Sequence, residues 1–295
     1  MNCVVVPIYK TFACLRSAEL LSLNQLYKEL GKYQIYLIGP AGFSWDAYIN
    51  NAKSKSISLK IKEFQAGNFD GLNGYNKLMI SENLYRDFLN YKYVLLYQLD
   101  AYVFRDELNS WCDKGYDYIG AQWDGTHHFE NKPLIGVGNG GFSLRNTRSS
   151  LKLLKRLRQL EVLEQHAEMN WKGLLPRIPL ILLKLHKAKK VQSNFEQQYN
   201  FQEDVFWCKA VPSKFKKFKA SSKLLLLLKL IFVGHNFKIA PAEEALKFSF
   251  ETSPRQLFEA NDKKLPFGCH AWEKYEPEFW KPFIIPSLSN ESEII

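Results

Sequence analysis

Four short stretches carry side chains whose chemistry goes beyond packing. In "YVLLYQLDAYVF" (Tyr93 to Phe104) an apolar run rises to one carboxylate, Asp100, and then resumes. A carboxylate at the C-terminal end of a buried strand is placed to hold Mg2+ or Mn2+, which take oxygen ligands and share them with a substrate diphosphate. Asp also starts turns and caps helices, and "RDELNSW" follows at once, so alone Asp100 reads as a turn residue. "EDVFW" sets Glu203 beside Asp204 ahead of an aromatic patch. Neighbouring acids on a helix point in different directions, so one can face a site as a general base while the other caps or meets a cation. "GVGNGGFSLRN" has four glycines in six residues but lacks the spacing of a Walker loop or a Rossmann fingerprint. Gly138, Gly140 and Gly141 would let backbone approach a ligand, and Asn139 offers an amide to sugar hydroxyls; the plainer alternative is a tight loop before the strand "FSLRN". His270, in "PFGCHAW", is a late metal ligand, a phosphate contact, or the packed, hydrogen-bonded residue that a lone His among aromatics commonly is.

The elements around these stretches alternate. "VVVPIY" reads as a strand, "CLRSAELLSLNQLYKEL" (Cys14 to Leu30) as a helix closing at Gly31, "YQIYLIGP" and "ISLKIKEF" as strands, and Tyr75 to Tyr91 as helical before the strand that reaches Asp100. Strands separated by helices predict an α/β fold, a mostly parallel central sheet with flanking helices. Ligands of such sheets sit beyond the carboxyl ends of the strands, where Asp100 lies. Tyr116 to Trp123 also reads as a strand. The whole chain, 1–295, reads as a single domain with basic, amphipathic insertions at 151–200 and 213–230.

Apolar residues make up 46% of the chain and aromatics 15%, which excludes extended disorder. "MNCVVVPIYK" reads as a first strand rather than a signal peptide. "LLLLLKLIFV" (Leu224 to Val233) is half the length a membrane span needs, so no transmembrane segment is expected. The five cysteines are scattered with no CxxC pair, which points to a reduced, cytoplasmic setting and away from a zinc site. The net charge of +10 belongs to one segment: Leu151 to Leu230 holds 17 Lys and Arg against 6 Asp and Glu.

In this order, "YNKLMIS", "YVLLYQLDAYVF", "WCDKGYDYIGAQW", "GVGNGGFSLRN", "EDVFW", "APAEEALKFSFE" and "LPFGCHAW" resemble a bacterial glycosyltransferase-like domain family with the nucleotide-sugar-dependent type A (GT-A) fold. The opening "VVVPIYK" looks like the first, nucleoside-binding strand of that fold. The resemblance implies transfer of a hexose, with inversion, from a nucleotide sugar such as a UDP-sugar to a hydroxyl of a cell-surface glycan or glycolipid. It implies Asp204 as general base, chosen over Glu203, and Asp100 as the acid at the metal and diphosphate. Val6, Pro7 and Tyr9 would hold the base, Asn76, Lys77 and Gln98 would lie near the nucleotide, and Asn139, Gly140 and Gly141 would line the sugar or acceptor pocket. The usual Asp-x-Asp pattern is incomplete, because Tyr102 stands where a second acid would be. A Mn2+ or Mg2+ shell then needs His270, the diphosphate and water beside Asp100.

The basic segment suits an acceptor at an anionic membrane surface, met from the cytoplasmic side, each cation near the leaflet contributing about 1 kcal/mol. Ser150 to Glu168 fits an ordinary helix with a solvated basic face, while "KFKKFK" before the leucine run is the stronger candidate for surface contact. Two other classes compete: a basic module binding single-stranded nucleic acid through the Lys/Phe run, and a degenerate transferase that binds a sugar nucleotide without turning it over. No nucleic-acid partner is expected, because that class leaves Asp100, "GNGGFSL" and "EDVFW" without a role.

Overall fold

The computed structural model describes residues 1–129, 132–188, 202–233 and 236–285. The stretch 189–201 of the predicted insertion lies outside them. The chain forms an α/β structure around a six-stranded, mostly parallel sheet. Its strands in chain order are β1 (Asn2–Pro7), β2 (Gln34–Pro40), β3 (Leu59–Phe64), β4 (Tyr93–Tyr97), β6 (Tyr118–Ile119) and β9 (Phe142–Asn146), with β5 (Tyr102–Val103), β7 (Gln122–Phe129) and β8 (Lys132–Val137) elsewhere. The order across the sheet is β3-β2-β1-β4-β9-β6, parallel from β3 to β4 and antiparallel at β9 and β6. β5 instead joins β10 (Ser249–Phe250) and β11 (Gly268–Cys269) in a small sheet, and β7 pairs with β8.

Both faces of the large sheet are covered, which is why β1 and β4 read as unbroken apolar runs. Val4, Val6, Leu95 and Tyr97 pack on one side with Leu23 and Leu26 of α1 (Ser17–Leu30) and Tyr48 of α2 (Asp46–Ser54). Cys3, Val5, Val94 and Leu96 pack on the other with Leu78 of α3 (Gly71–Met79), Leu84 of α4 (Glu82–Asp87) and the leucines of α6 (Thr147–Glu164). Successive strand residues point to opposite faces, so each such run feeds two cores at once. Each Leu or Val buried this way stabilises the fold by about 1.5–3 kcal/mol.

Three expected elements are divided. The predicted helix Tyr75 to Tyr91 breaks where Ser81 Oγ accepts the Leu84 N–H and starts α4 afresh. The Tyr116 to Trp123 strand splits into β6 and the start of β7. The run through Asp100 stops at Tyr97, turns with Ala101 N–H donating to the Gln98 carbonyl, and resumes in the other sheet. Asp100 is therefore a turn residue and also sits beyond the carboxyl end of a buried strand. α5 (Leu108–Asp113) follows where "RDELNSW" promised a helix.

The basic segment is more packed than its composition suggests. α6 turns Leu153, Leu154, Leu157 and Leu160 inward, and a buried ion pair from Arg158 to Glu82 ties it to α4. α7 (Trp171–Leu174) and α8 (Ile178–Ala188) lie after it, with Arg158 Nε donating to the Ala188 carbonyl at 2.8 Å. In "KFKKFK" both Phe215 and Phe218 are buried, and Lys214 Nζ lies 3.3 Å from Glu161 and 3.2 Å from Glu164. Those aromatic faces are inside the core, where they cannot stack on bases. All five cysteines are free, and only Cys14 is exposed. No helix among the described residues is long and apolar enough to cross a membrane.

Candidate functional site

Glu203 and Asp204 open a short helical stretch, Glu203–Val205, that lies against the β9 side of the large sheet. The two acids diverge as helix geometry requires. Glu203 Oε1 accepts from Arg145 Nη2 at 2.7 Å, with both side chains only 2% exposed. Arg145 is further held by Ser143 Oγ, the Tyr85 hydroxyl and the Gly140 carbonyl, and its guanidinium lies over the Tyr118 ring. Burial pushes the Glu203 carboxyl up, against the pull of Arg145. The pair is possible because position 140 is glycine: a Cβ there would stand 1.8 Å from Glu203 Oε1.

Asp204 does something else. Its Oδ2 accepts the Asn139 N–H and its Oδ1 the Val205 N–H, each at 2.8 Å. Asn139 has φ 68°, a left-handed conformation that costs a non-glycine residue free energy and persists only when neighbours hold it. The Asp204 bond is one such restraint. The other is the Asn139 side chain, whose Oδ1 accepts the Gly141 N–H at 2.9 Å. Desolvation raises the Asp204 carboxyl above its usual range, more than its two backbone donors lower it. Asn139 Nδ2 and Glu203 Oε2 are buried without a partner among the described residues, and orphaned polar atoms of this kind mark places where a ligand or ordered water completes the bonding.

The loop continues to the strand end. The Gly141 carbonyl accepts the Gln98 N–H at 2.8 Å, and a Cβ on Gly141 would come 1.9 Å from His270 Nε2. His270 Nε2 lies 3.1 Å from Gln98 Oε1 and 3.2 Å from Asp100 Oδ1, and Nδ1 lies 3.0 Å from Glu251 Oε1. Burial alone would lower the imidazole pKa, but Asp100 and then Glu251 outweigh it and raise it to about 10. Asp100 is held below the usual carboxylate range despite its desolvation, chiefly by the His270 charge.

Beyond Gln98 and Asp100 opens a cavity of about 160 Å³, lined among others by Pro7, Tyr9, Lys10, Arg16 and Glu19. It sits at the carboxyl ends of β1 and β4, where a sheet of this topology takes its ligands. Glu19 fixes its rim. One carboxylate oxygen accepts the Arg16 N–H at 2.8 Å at the start of α1, and the side chain pairs with Lys10 at 2.8 Å.

The charge state of His270 sets a pH dependence. Below pH 6.5, the ordinary imidazole value, the ring is charged in folded and unfolded chains alike, and its ion pairs contribute in full; the contribution is lost as pH rises through about 10. The wild-type stability advantage over a His270→Gln variant, measured as urea midpoints, is expected to shrink between those values. An advantage independent of pH would refute the charged ring.

The metal expectation puts Asp100 and His270 in one shell, and His270 Nε2 lies 3.2 Å from Asp100 Oδ1. A charged imidazole has no lone pair to give, so His270 would have to lose a proton to serve as a ligand. No group of three His, Cys, Asp or Glu side chains among the described residues could hold a metal ion. Tyr102 explains the missing acid: it is 3% exposed in a separate core beside Phe104, so an acid there would be buried away from Asp100.

The predicted residues thus divide. Asp100, Gln98, Pro7 and Tyr9 meet at the cavity, and Asn139, Gly140, Gly141, Glu203, Asp204 and His270 form a bonded group that reaches it through Gln98 and Asp100. Val6 is fully buried in the core, so its side chain reaches no ligand. Asn76 Oδ1 accepts the Glu203 N–H at 3.2 Å and so braces the acid pair. Lys77, one residue on, turns to solvent. Arg145, Glu251, Lys10, Arg16 and Glu19 belong to this cluster or line its cavity, and the sequence motifs did not single them out.

Residues 58–270 match a family described as "Protein of unknown function (DUF5672)". No curated protein matches the chain. Among solved structures, a glycosyltransferase involved in glycosylation of the major capsid of PBCV-1 gives a TM-score of 0.43 at 8% identity, over 96% of this chain and 98% of that one. The glycosyltransferase GlyE of Streptococcus pneumoniae TIGR4 gives 0.46 at 12% identity, over 97% of this chain and 61% of its own. TarS 1–349 of S. aureus, in complex with UDP-GlcNAc, gives 0.33 at 14% identity, over 52% of this chain and 46% of its own. The chain therefore spans less than two thirds of the latter two proteins.

Proposed function

We propose that this chain, which belongs to the DUF5672 family of proteins of unknown function, is a glycosyltransferase that moves a hexose from a nucleotide sugar, a UDP-sugar in the first instance, to a hydroxyl of a glycan or glycolipid. One observation carries the proposal. An unbroken hydrogen-bond path runs from the buried Asp204 through Asn139 and Gly141 to Gln98, on the wall of the cavity at the carboxyl ends of β1 and β4. It links a carboxylate whose basicity is raised to a cavity whose lining holds Lys10 and Arg16 beside Glu19 and Asp100, and transfer from a diphosphate needs a base at one end and cations at the other.

The cavity of about 160 Å³ takes part of such a donor, with the half-exposed Tyr9 ring offering a stacking face to the base. Lys10 and Arg16 meet the diphosphate and offset the charge it gains on leaving. Asn139 Nδ2 donates to a sugar hydroxyl. Asp204 accepts the proton of the acceptor hydroxyl as that oxygen bonds to the anomeric carbon, the bond from that carbon to the phosphate oxygen breaks, and nucleoside diphosphate departs. Attack from the face opposite the leaving group inverts the anomeric centre. His270, charged between Asp100 and Glu251, offsets part of the charge of those two acids, and in this account no step is routed through a protein-held metal.

A panel of nucleotide sugars, read by diphosphate release with and without EDTA, tests this. Release with one donor and undiminished by EDTA is expected. Neither release nor a thermal shift with any donor would sink the proposal, while a thermal shift without release would leave binding alone. Release abolished by EDTA and restored by Mn2+ would replace the cationic account of the leaving group.

A further inference from the structure

A second cavity, of about 560 Å³, lies along α6 and has no part in the site above. Arg148, Lys152, Lys155 and Arg156 line it together with Leu89 and Ile231, and no acid does. The i, i+4, i+7 and i+8 spacing puts all four cations on one stripe of the helix. None of the four makes an ion pair among the described residues, whereas Glu161 and Glu164, farther along α6, are taken up by Lys214.

The border of this groove is apolar. Leu230 is 71% exposed and Ile231 60%, with Leu226 and Leu227 also exposed on the preceding helix, Lys223–Leu228. Leu180 and Leu183 of α8, which also packs on α6, are about half exposed. Neither Asn170 to Ala188 nor Val205 to Val233 contains a single Asp or Glu. Large aliphatic side chains left in solvent are normally scattered singly, and a cluster edged only by cations marks a contact surface.

We propose that the groove between α6 and the Leu230–Ile231 turn binds the phosphate headgroups of an anionic bilayer, with the surrounding leucines entering the acyl boundary. Charge complementarity selects this occupant. Anionic lipid offers phosphates to the stripe and hydrocarbon to the leucines in one surface, as interfacial amphipathic helices require. A nucleic acid would satisfy the cations and leave the aliphatic border in water, and the aromatic rings of the neighbouring Lys/Phe run are buried. Arg148 and Leu89 adjoin the start of β4, at the opposite end of that strand from Asp100, so a membrane seated here leaves the donor cavity open to solvent.

The intact protein is sedimented with vesicles of phosphatidylcholine alone or with one quarter phosphatidylglycerol. Binding is expected only to the anionic vesicles and falls as salt rises. Lys152→Glu/Lys155→Glu lowers partitioning on the order of twentyfold or more. Ile231→Ser with Leu230→Ser, which leaves charge unchanged, lowers it about tenfold or more. All four side chains are exposed or half-buried, so thermal midpoints close to wild type confirm folding. Binding absent from both vesicle types, equal on both, or unchanged in either double variant overturns the proposal. So does saturable binding of inorganic phosphate with no vesicle binding, or competition by single-stranded RNA that the Leu230/Ile231 variant leaves intact. Donor turnover is not read in this experiment, so its outcome stands apart from the proposed activity.

Discussion

An Asp204→Asn variant is expected to bind the sugar nucleotide and to transfer from it about 10²–10⁴-fold more slowly, the loss that follows removal of a positioned general base. The carboxylate has about four lone-pair directions, and two are spent on the Asn139 and Val205 N–H groups. The remainder can take a proton from an acceptor, and desolvation makes that proton better held than on an ordinary aspartate. Asparagine cannot do this. Its amide nitrogen would also face one of the two backbone donors, leaving a buried N–H unsatisfied at a cost of about 1–3 kcal/mol. Turnover therefore has to be measured below the variant's unfolding transition, with donor binding followed by thermal shift. Turnover within a few-fold of wild type in a folded variant would remove Asp204 from the chemistry and leave it as the restraint on the Asn139 loop.

The second large effect is on stability. Arg145→Met should destabilise the protein by about 3–5 kcal/mol near neutral pH, because it strands the Glu203 carboxylate in a site 2% exposed. The sign of the pH dependence follows from burial. With Arg145 gone, the folded-state pKa of Glu203 moves further above its unfolded value, so the neutral acid is favoured in the fold. Stability is then fully present below the unfolded value of about 4.3 and is lost as pH rises through the folded one. Urea midpoints of the variant should rise toward low pH, and Arg145→Met with Glu203→Gln should recover much of the loss at high pH. An Arg145→Met protein within about 1 kcal/mol of wild type at pH 8 would mean that the pair is not holding the Glu203 turn in place.

The sheet was legible because its central strands are buried on both faces and so read as unbroken apolar runs. Asp100, at the end of one of them, was legible for the same reason. Arg145 was not. In "FSLRN" the alternation of Phe142 and Leu144 with Ser143 and Arg145 is what a strand with one wet face shows, and only the tertiary approach of Glu203 makes that face dry. The signal that could have found it is "ED" itself: two adjacent acids before an aromatic core need a cation for the one that turns inward. Glu251 was hidden similarly, since its role depends on meeting His270 across the small sheet. Lys10 and Arg16 were within reach, because the loop after the first strand of such a sheet faces the ligand side. Lys77 and Val6 do not line the cavity: a residue beside another in sequence points elsewhere in a helix or strand.

The glycine loop has a further consequence, which concerns time rather than equilibrium. Gly140 and Gly141 leave the space that Glu203 and His270 fill, and both partners lie far along the chain. During synthesis the loop emerges from the ribosome well before either exists. The local contacts of β1 with β2 and of β2 with β3 can form early, whereas contacts closing longer loops, such as that of Gly141 with His270, carry a larger entropic cost and come later. The loop therefore waits for partners made later in the chain, and until they arrive its polar groups remain in water.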